Sequence, residues 1–151
     1  MTNNGIQILC QLVLAVVLGA IIGAERERKG KEAGFQTYSL VSLGSCLFAI
    51  LALKSFDLLT GIEGLRFDPA RIIIAIATGI GFIGAGVIIY RRDHIEGITT
   101  AAGLWAVSAI GVAVALQQYI TALLATLLTL LVLAGFAEIE NKIFKERAKN
   151  R

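Results

Sequence analysis

The stretch at 72–90 reads IIIAIATGIGFIGAGVIIY and carries no charged side chain over its 19 residues. As a helix that rises about 1.5 Å per residue, it is long enough to cross the roughly 30 Å hydrocarbon core of a bilayer. Its second half contains Gly79, Gly81, Gly84 and Gly86, and the first three of these spell G-x-G-x-x-G, a dinucleotide-binding fingerprint. The stretch therefore indicates two mutually exclusive structures: a helix that spans the membrane, or a turn that binds a dinucleotide cofactor.

The sequence after the glycines decides between these two structures. A dinucleotide-binding unit needs a helix directly after the glycine turn and an acidic residue about 20 positions further on. Here only 87–90 precede the next charged residues, and the nearest acids, Asp93 and Glu96, come too early. We therefore interpret the stretch as a membrane helix and expect no nucleotide and no other cofactor. Its glycines predict either a smooth surface for helix packing or a kink near Gly84.

The charge pattern of the whole chain predicts further spans. The 151 residues are 56% hydrophobic and only 17% charged, whereas about a quarter of the residues in soluble domains are charged. Charges are absent from 1–24, 33–53, 72–90 and 97–137. The last run is about twice too long for one crossing, and Gln117-Gln118-Tyr119 near its middle supplies a polar turn. We therefore predict an all-α, polytopic membrane bundle of about five transmembrane helices over 1–137, followed by a short basic amphipathic tail at 138–151.

The basic residues orient this predicted bundle. Of the 14 basic residues, all except Lys54, Arg66 and Arg71 fall in the first loop, the third loop or the C-terminal tail. Because basic loops stay in the cytoplasm, the N-terminus is predicted outside and the C-terminus in the cytoplasm. No basic n-region precedes the first apolar run, so we interpret that run as a span rather than a signal peptide. The net charge of +3 then reflects topology and lipid headgroups and predicts no nucleic-acid partner.

Small residues predict close packing of several helices. Gly19 and Gly23 in the first helix are four residues apart, which lets another helix backbone approach closely. Together with the glycine face of the third helix, this spacing predicts a homodimer. Alanines at 102, 106, 109 and 113 predict a similar packing face on the fourth helix.

Capping residues mark two helix starts. The Asp-Pro pair at 68–69 suits the N-cap and N1 positions of the third helix. Arg71 enters this helix one turn later and is expected to find an anion, either the capping aspartate or a lipid phosphate. Gly97 is predicted as a turn, with Thr99 or Thr100 as the N-cap of the fourth helix.

The predicted topology brings polar residues to one membrane level. Glu25 directly follows an apolar run, where an unpaired carboxylate is unfavourable, so Arg28 or Lys29 is its expected partner. The charged residues at 27–32 are predicted as a solvated surface. Serines at 39, 42 and 45 form a stripe that either bonds to its own helix backbone or lines the bundle interior. The residues placed at this level are Glu25, Arg28, Thr37, Ser39, Arg91, Thr99 and Thr100.

No catalytic motif accompanies these residues. The chain contains no G-x-S-x-G, H-E-x-x-H or Walker A sequence. Cys10 and Cys46 lie in apolar segments and are expected to be buried thiols, and His94, the single histidine, is expected to be a solvated loop residue. The sequence therefore predicts that the protein is not an enzyme, and it defines no set of metal ligands.

Three blocks of the sequence resemble the MgtC/SapB family of bacterial inner-membrane proteins. They read GAERERKGKEAGFQTYSLVSLGS, DPARIIIAIATGIGFIGAGVII and ITTAAGLWAVSAIGVAV. The resemblance implies a five-helix hydrophobic domain in the bacterial inner membrane, a link to growth in low magnesium, and modulation of other membrane machinery such as ATP synthase. Several members also carry a soluble C-terminal domain, which is not expected here because the chain ends about fourteen residues after its last predicted helix. By motif position, the family's shared polar residues fall on Glu25, Arg26, Glu27, Thr37, Asp68, Arg71, Thr99, Thr100 and Trp105.

Two functions follow as hypotheses. The first is a non-enzymatic membrane regulator that acts through helix contacts, with the lipid bilayer, a second copy of the chain and another membrane protein complex as expected partners. The second is a small ion transporter or channel, for Mg²⁺ or another ion. Mg²⁺ prefers carboxylates and retained waters. Because Glu25 and Asp68 are predicted at opposite ends of the bundle, a mid-membrane site would rely on carbonyls or hydroxyls.

Overall fold

The computed structural model describes residues 3–59, 68–91 and 94–136, and most of these residues are helical. The five α-helices are α1 (Asn3–Arg28), α2 (Phe35–Leu59), α3 (Pro69–Val87), α4 (Ile98–Ala115) and α5 (Tyr119–Leu130). α5 continues as a π-helical segment, Leu131–Phe136. Two short strands, β1 (Ile89–Arg91) and β2 (His94–Glu96), lie between α3 and α4.

Four of the helices are long and apolar enough to cross a membrane. These candidate spans are Gly5–Arg28, Phe35–Phe56, Pro69–Val87 and Ile98–Ala115. The fifth apolar helix, Tyr119–Gly135, is shorter. The prediction of a helical membrane bundle is therefore confirmed, whereas a fifth crossing and the orientation of the termini stay predictions. The tail predicted at 138–151 lies outside the described residues.

α4 lies at the centre of the bundle. It packs against α1, α2, α3 and α5, and α1 also packs against α2. The buried core contains Ile22 of α1, Cys46 of α2, and Leu104 and Val107 of α4. α3 lies at the edge, where only Ile80 and Gly84 are buried.

Glycines set the spacing of α1 and α4 against α2. A methyl group added to Gly19 would lie 2.6 Å from the Tyr38 carbonyl oxygen. On the other side of α2, a methyl on Gly111 would overlap the Ser42 carbonyl oxygen, and one on Gly103 would overlap Tyr38 Oη. These positions leave no room for a side chain, so the neighbouring elements approach the glycine backbone directly.

The alanine face predicted for α4 is wrong. The residues at 102 and 109 are exposed, and those at 106 and 113 are only partly buried. Gly103 and Gly111 make the close contacts instead, on a different side of the same helix. An α-helix can present small residues on more than one face, and the position of α2 determines which face is used.

The cap of α3 is confirmed, whereas that of α4 differs from the prediction. Asp68 Oδ1 accepts a hydrogen bond from the Ala70 N–H at 3.1 Å, and Pro69 is the first helical residue. Gly97 is indeed a turn residue with φ of 89°, but it is itself the N-cap of α4. Thr99 and Thr100 already lie inside the helix. The prediction that a threonine caps α4 is therefore wrong, because the left-handed glycine turns the chain into the helix.

Other segments depart from the predicted boundaries. α2 extends beyond position 53 to Leu59, so Lys54 lies within the helix rather than at its end. The loop predicted at 91–96 contains part of an antiparallel hairpin, in which Tyr90 pairs with Ile95. α3 runs as an unbroken α-helix through Gly84. The polar turn between α4 and α5 is confirmed, since Gln117 has a positive φ of 61°, but Tyr119, which was predicted in the turn, is the first residue of α5.

Candidate functional site

A buried arginine lies at the C-terminal end of α1. The Arg26 side chain is only 2% exposed, and it is among the largest fully buried side chains of the described residues. Its Nε donates a hydrogen bond to Glu25 Oε2 at 2.5 Å. Its Nη2 donates to the Leu133 carbonyl oxygen at 2.8 Å. A buried cation is unfavourable unless it is paired and hydrogen-bonded, and Arg26 has both kinds of partner.

Lys29 is a second cation that binds the Glu25 carboxylate and the Leu133 carbonyl, the two acceptors that Arg26 also binds. Its Nζ lies 2.8 Å from Glu25 Oε1, an ion pair four residues apart on one helix. Nζ also donates to the Leu133 carbonyl at 3.2 Å and to the Ala134 carbonyl at 3.4 Å. The prediction of Lys29 as a partner of Glu25 is therefore confirmed, whereas Arg28 is exposed.

The acceptor carbonyls belong to the π-helical segment that ends α5. π-helical turns occur frequently at functional sites, and carbonyls near a helix C-terminus carry negative partial charge. Both Arg26 and Lys29 direct their donors to Leu133 within this segment. These hydrogen bonds connect the end of α1 to the end of α5, although the two segments are more than 100 residues apart in the sequence.

Two acids of the α1–α2 loop region bind other elements. Glu27 Oε2 accepts a hydrogen bond from the Phe35 N–H at 2.8 Å, which caps the start of α2. Glu32 Oε2 accepts from the Thr100 hydroxyl at 2.8 Å, which connects the loop to the first turn of α4. Hydrogen bonds from the backbone N–H of Glu32 and from Thr100 lower the pKa of the Glu32 carboxyl. Both acids are exposed, as predicted for 27–32, but the prediction of a solvated surface missed these two hydrogen bonds to other elements.

Tyr38 completes this group of polar contacts. Its side chain is fully buried, and its hydroxyl donates to the Thr100 carbonyl at 3.2 Å. We define the Arg26 cluster by the residues that make these contacts: Glu25, Arg26, Glu27, Lys29, Glu32, Tyr38 and Thr100. The cluster connects α1, α2, α4 and the end of α5 at one end of the bundle.

The other residues singled out in the sequence lie outside this cluster. Thr99 is exposed, and Trp105 is 58% exposed. Thr37 is partly buried and faces a groove between α2 and α3. Asp68 and Arg71 form an exposed pair at the opposite end of the bundle, with 3.3 Å between Arg71 Nε and Asp68 Oδ2. The Arg91 side chain lies outside the described part of the structure.

Reasoning from the sequence missed Tyr38, Glu32 and Gln11. Gln11 is buried in α1, and its Nε2 donates to the carbonyls of Val114 and Ala115 at 3.0 and 2.9 Å. A polar residue within an apolar run is the available signal for Gln11 and Tyr38. No local signal identifies their partners, which lie on other helices.

The serine stripe of α2 faces the bundle interior, and its hydroxyls differ in their partners. Ser39 bonds back to the Phe35 carbonyl at 2.7 Å, and Ser45 bonds to the Ser108 hydroxyl of α4 at 2.7 Å. The buried Ser42 hydroxyl has no hydrogen-bond partner among the described residues. Both alternatives raised by the sequence therefore apply, at different positions.

α3 borders two cavities. A groove of about 950 Å³ lies between α2 and α3, and it is lined mainly by apolar side chains with Arg71 at one end. A smaller cavity of about 320 Å³ lies between α3, α4 and the start of α5, next to Trp105. Ile76 and Ile80 border both cavities. α3 packs mainly against α4, and its contact with α2 is smaller.

The glycines of α3 are mostly free of contacts with the rest of the described chain. A methyl group added to Gly79, Gly81 or Gly86 would meet nothing within 4 Å there, whereas one on Gly84 would lie 3.5 Å from Ala101 Cβ. By contrast, Gly19 and Gly23 of α1 are in tight contact with α2.

The described residues contain no cluster of side chains that could hold a metal ion. Among the described residues, no three His, Cys, Asp or Glu side chains lie close enough together to hold a metal ion. Cys46 is buried as expected, but Cys10 is exposed at the surface of the chain, so the prediction of a buried thiol there is wrong.

Comparison with known proteins gives a consistent set of relatives. The sequence matches the model of the MgtC family over residues 12–142. It is 36% identical over 140 residues to the protein of Escherichia coli K12 named "Putative magnesium transporter YhiD", covering 93% of this chain and 65% of that protein. It is 38% identical over 122 residues to protein MgtC of Salmonella typhimurium LT2, covering 81% of this chain and 49% of that protein.

A third relative comes from Synechococcus elongatus. Protein SrpB of Synechococcus elongatus is 34% identical over 143 residues, covering 86% of this chain and 75% of that protein. The chain spans 65% of the length of YhiD and about half of the length of MgtC. No solved structure matches the sequence significantly.

Proposed function

Because the chain belongs to the MgtC family, we propose that it is a non-enzymatic protein of the bacterial inner membrane that regulates other membrane machinery through helix contacts. The contacts are made by α3. The observation that carries the proposal is the exposure of this glycine-containing helix, of which only Ile80 and Gly84 are buried.

The open glycines support a helix partner outside the chain. Glycine lowers helix stability by about 1 kcal/mol relative to alanine, and it contributes no side chain to packing against lipid. Glycine is favoured in membrane helices where another backbone approaches closely. In the described part of the chain, a methyl group on Gly81 would meet nothing within 4 Å, and Ala85 follows it by one helical turn at an exposed position. Together with Thr78, these residues form what we call the outer face of α3.

The Arg26 cluster has a supporting part in this proposal. It fixes the ends of α1, α2, α4 and α5 relative to one another through buried and partly buried hydrogen bonds. α3 contributes no residue to the Arg26 cluster. The partner on its outer face is a helix of another membrane complex, for which ATP synthase is the candidate implied by the family, or of a second copy of the chain.

Affinity purification from native membranes, with mass spectrometry and crosslinking, tests the proposal. Gly81→Leu places a large side chain on the outer face and should reduce partner recovery by at least fivefold. Ala102→Leu is a matched control, because Ala102 is exposed on α4 and lies off the outer face. Equal recovery with Gly81→Leu and the control, or no partner and a monomer with the unaltered chain, would contradict helix contacts as the mode of action.

Ion transport is the second candidate, favoured by the name of the relative YhiD. Hard cations such as Mg²⁺ bind oxygen ligands, and the buried serine hydroxyls of α2 supply oxygen atoms within the bundle. Flux into proteoliposomes tests this candidate. Mg²⁺ movement that is lost in Glu25→Gln or Asp68→Asn, in protein that still folds, would favour transport, whereas no flux under any gradient would count against it.

A further inference from the structure

We propose that the groove between α2 and α3 binds one glycerophospholipid, with its acyl chains along the apolar walls and its phosphate at Arg71. The proposal concerns a different surface from the outer face of α3 and does not rest on the proposed function.

The walls of the groove suit hydrocarbon. α2 contributes Leu40, Val41 and Phe48, and α3 contributes Ile72, Ile76 and Ile83. Small residues make the space between these walls: Gly44 and Gly79 both line the groove, and a methyl group on either would meet nothing within 4 Å in the described part of the chain. The volume of about 950 Å³ lies at the upper end of the roughly 300–1,000 Å³ of ligand sites.

Arg71 supplies charge complementarity at one end. Of the described residues that line the groove, it is the only charged one. Its described contact is to Asp68 through Nε, at 3.3 Å. A guanidinium has five N–H donors in a planar fork that matches a phosphate, so donors beyond Nε are available for a headgroup. Asp68 Oδ1 accepts from the N–H of Ala70, so this acid also has a role in capping α3.

The position of Arg71 along α3 matches that of a lipid headgroup. Arg71 is the third residue of the helix, directly before the apolar span. From Arg71 to Ile83 the helix rises about 18 Å, slightly more than half of the roughly 30 Å hydrocarbon core. A lipid in the leaflet at this end therefore has its phosphate level with Arg71 and its acyl chains beside the groove.

Native mass spectrometry of the delipidated full chain in detergent tests the proposal. The probes are phosphatidylglycerol and a diacylglycerol with the same acyl chains, which lacks the phosphate. We expect one phosphatidylglycerol to bind, on the order of tenfold more tightly than the diacylglycerol, because the phosphate adds a charge-assisted contact. Arg71→Gln should remove most of this preference while the diacylglycerol still binds.

Two further variants test the walls of the groove. Gly79→Leu and Gly44→Leu fill the space from opposite sides, and each should weaken the binding of both lipids at least fivefold. Lys54→Gln is the matched control for charge, because Lys54 is an exposed cation of α2 that does not line the groove. It should leave the phosphatidylglycerol preference unchanged.

Three results would overturn the proposal. One is an unchanged phosphatidylglycerol preference in Arg71→Gln, and another is equal lipid binding by Gly79→Leu and the unaltered chain, with retained melting temperatures showing that the variants fold. The third is a lipid-free dimer that both leucine variants dissociate, which would identify a second copy as the occupant. Partner recovery with Gly81→Leu is a separate measurement, so failure of the lipid site and failure of the proposed function are distinguishable.

Discussion

At the residue scale, Arg26 is the most constrained side chain of the Arg26 cluster. It is buried, it binds the carboxylate of its neighbour Glu25, and it binds a carbonyl at the end of α5. Removal of one partner from a buried ion pair leaves an uncompensated charge and is strongly destabilising. Its contribution is therefore expected to appear mainly as stability of the bundle.

We predict that Arg26→Gln lowers the free energy of unfolding by about 3 kcal/mol, because Glu25 loses its closest cation and the Leu133 carbonyl loses the shorter of its two hydrogen bonds. Arg28→Gln removes an exposed arginine of the same helix and should change stability by less than about 0.5 kcal/mol. Unfolding of the purified protein in mixed detergents compares the two variants. Similar stabilities would show that Arg26 does not hold α5 in place.

Gly111 and Gly44 offer a second comparison of single residues. A methyl on Gly111 would overlap the Ser42 carbonyl, whereas one on Gly44 would meet no described atom within 4 Å. Gly111→Ala should therefore separate α2 from α4 and destabilise the protein by about 1–3 kcal/mol. Gly44→Ala should be neutral or stabilising by up to about 1 kcal/mol, because alanine favours the helix. Thermal unfolding of both variants checks this, and destabilisation by both would contradict the assignment of Gly111 as the contact.

At the element scale, long-range polar contacts determine how the helix ends are held. The α1–α2 loop binds α4 through Glu32 and Thr100, and α5 binds α1 through its π-helical carbonyls. Neither contact follows from helix propensity or hydropathy. The elements themselves follow from local sequence, whereas their attachment depends on side chains that meet only after the helices have packed.

The Glu32–Thr100 contact predicts a pH dependence. The hydrogen bonds to the Glu32 carboxylate lower its folded-state pKa below the ordinary value of 4.5. A group with a lowered folded pKa contributes its stabilisation fully above the unfolded pKa and loses it as the pH falls through the folded pKa. Thr100→Val should therefore be less stable than the unaltered chain at pH 7, and this difference should shrink below about pH 4.5.

Melting temperatures between pH 7 and pH 3 measure this effect. Valine has nearly the shape of threonine, and the Thr100 carbonyl that binds Tyr38 is retained. Glu32→Gln provides the control, because it removes the titrating group and should leave no pH-dependent difference when combined with Thr100→Val. A difference that persists unchanged at pH 3 would argue against the Glu32 contact.

At the scale of the whole molecule, α4 is the central helix and α3 the peripheral one. α4 packs against each of the other helices, whereas α3 stands between two cavities and exposes most of its surface. Most of the surface of α3 is therefore available for partners and lipids. The proposed regulation and the proposed lipid site use different faces of this one helix.

The predicted orientation can be tested with single cysteines introduced at the two ends. Ala70 is exposed at the start of α3, and His94 is exposed in the hairpin after the same helix. With the cytoplasmic C-terminus predicted from the basic residues, Ala70→Cys should react with an impermeant maleimide in intact spheroplasts. His94→Cys should react only after lysis. Both cysteines are introduced into a chain that carries Cys10→Ala, because the native Cys10 thiol is exposed. The reverse labelling pattern would show that the orientation is opposite to the predicted one.

The class of protein and the local structure follow from the pattern of residues along the chain. Uncharged runs predicted the apolar helices, Asp68 and Pro69 predicted the start of α3, and Gln117-Gln118-Tyr119 predicted the turn before α5, of which Tyr119 proved to be helical. These features are predictable because hydropathy, capping and turn formation depend on residues that are close together in the chain. The family resemblance was also contained in local blocks, and the match over 12–142 confirms it.

Helix packing, by contrast, selects the polar and small residues that meet. Arg26 and Leu133 are 107 positions apart, and Glu32 and Thr100 are 68 apart. Several glycines have similar sequence neighbourhoods, yet Gly111 is in backbone contact while Gly81 is open. Each apolar helix has more than one face that could be buried, so its own sequence does not specify which face packs. The lateral order of the helices, with α4 at the centre and α3 at the edge, selects the face that packs and the charges that pair.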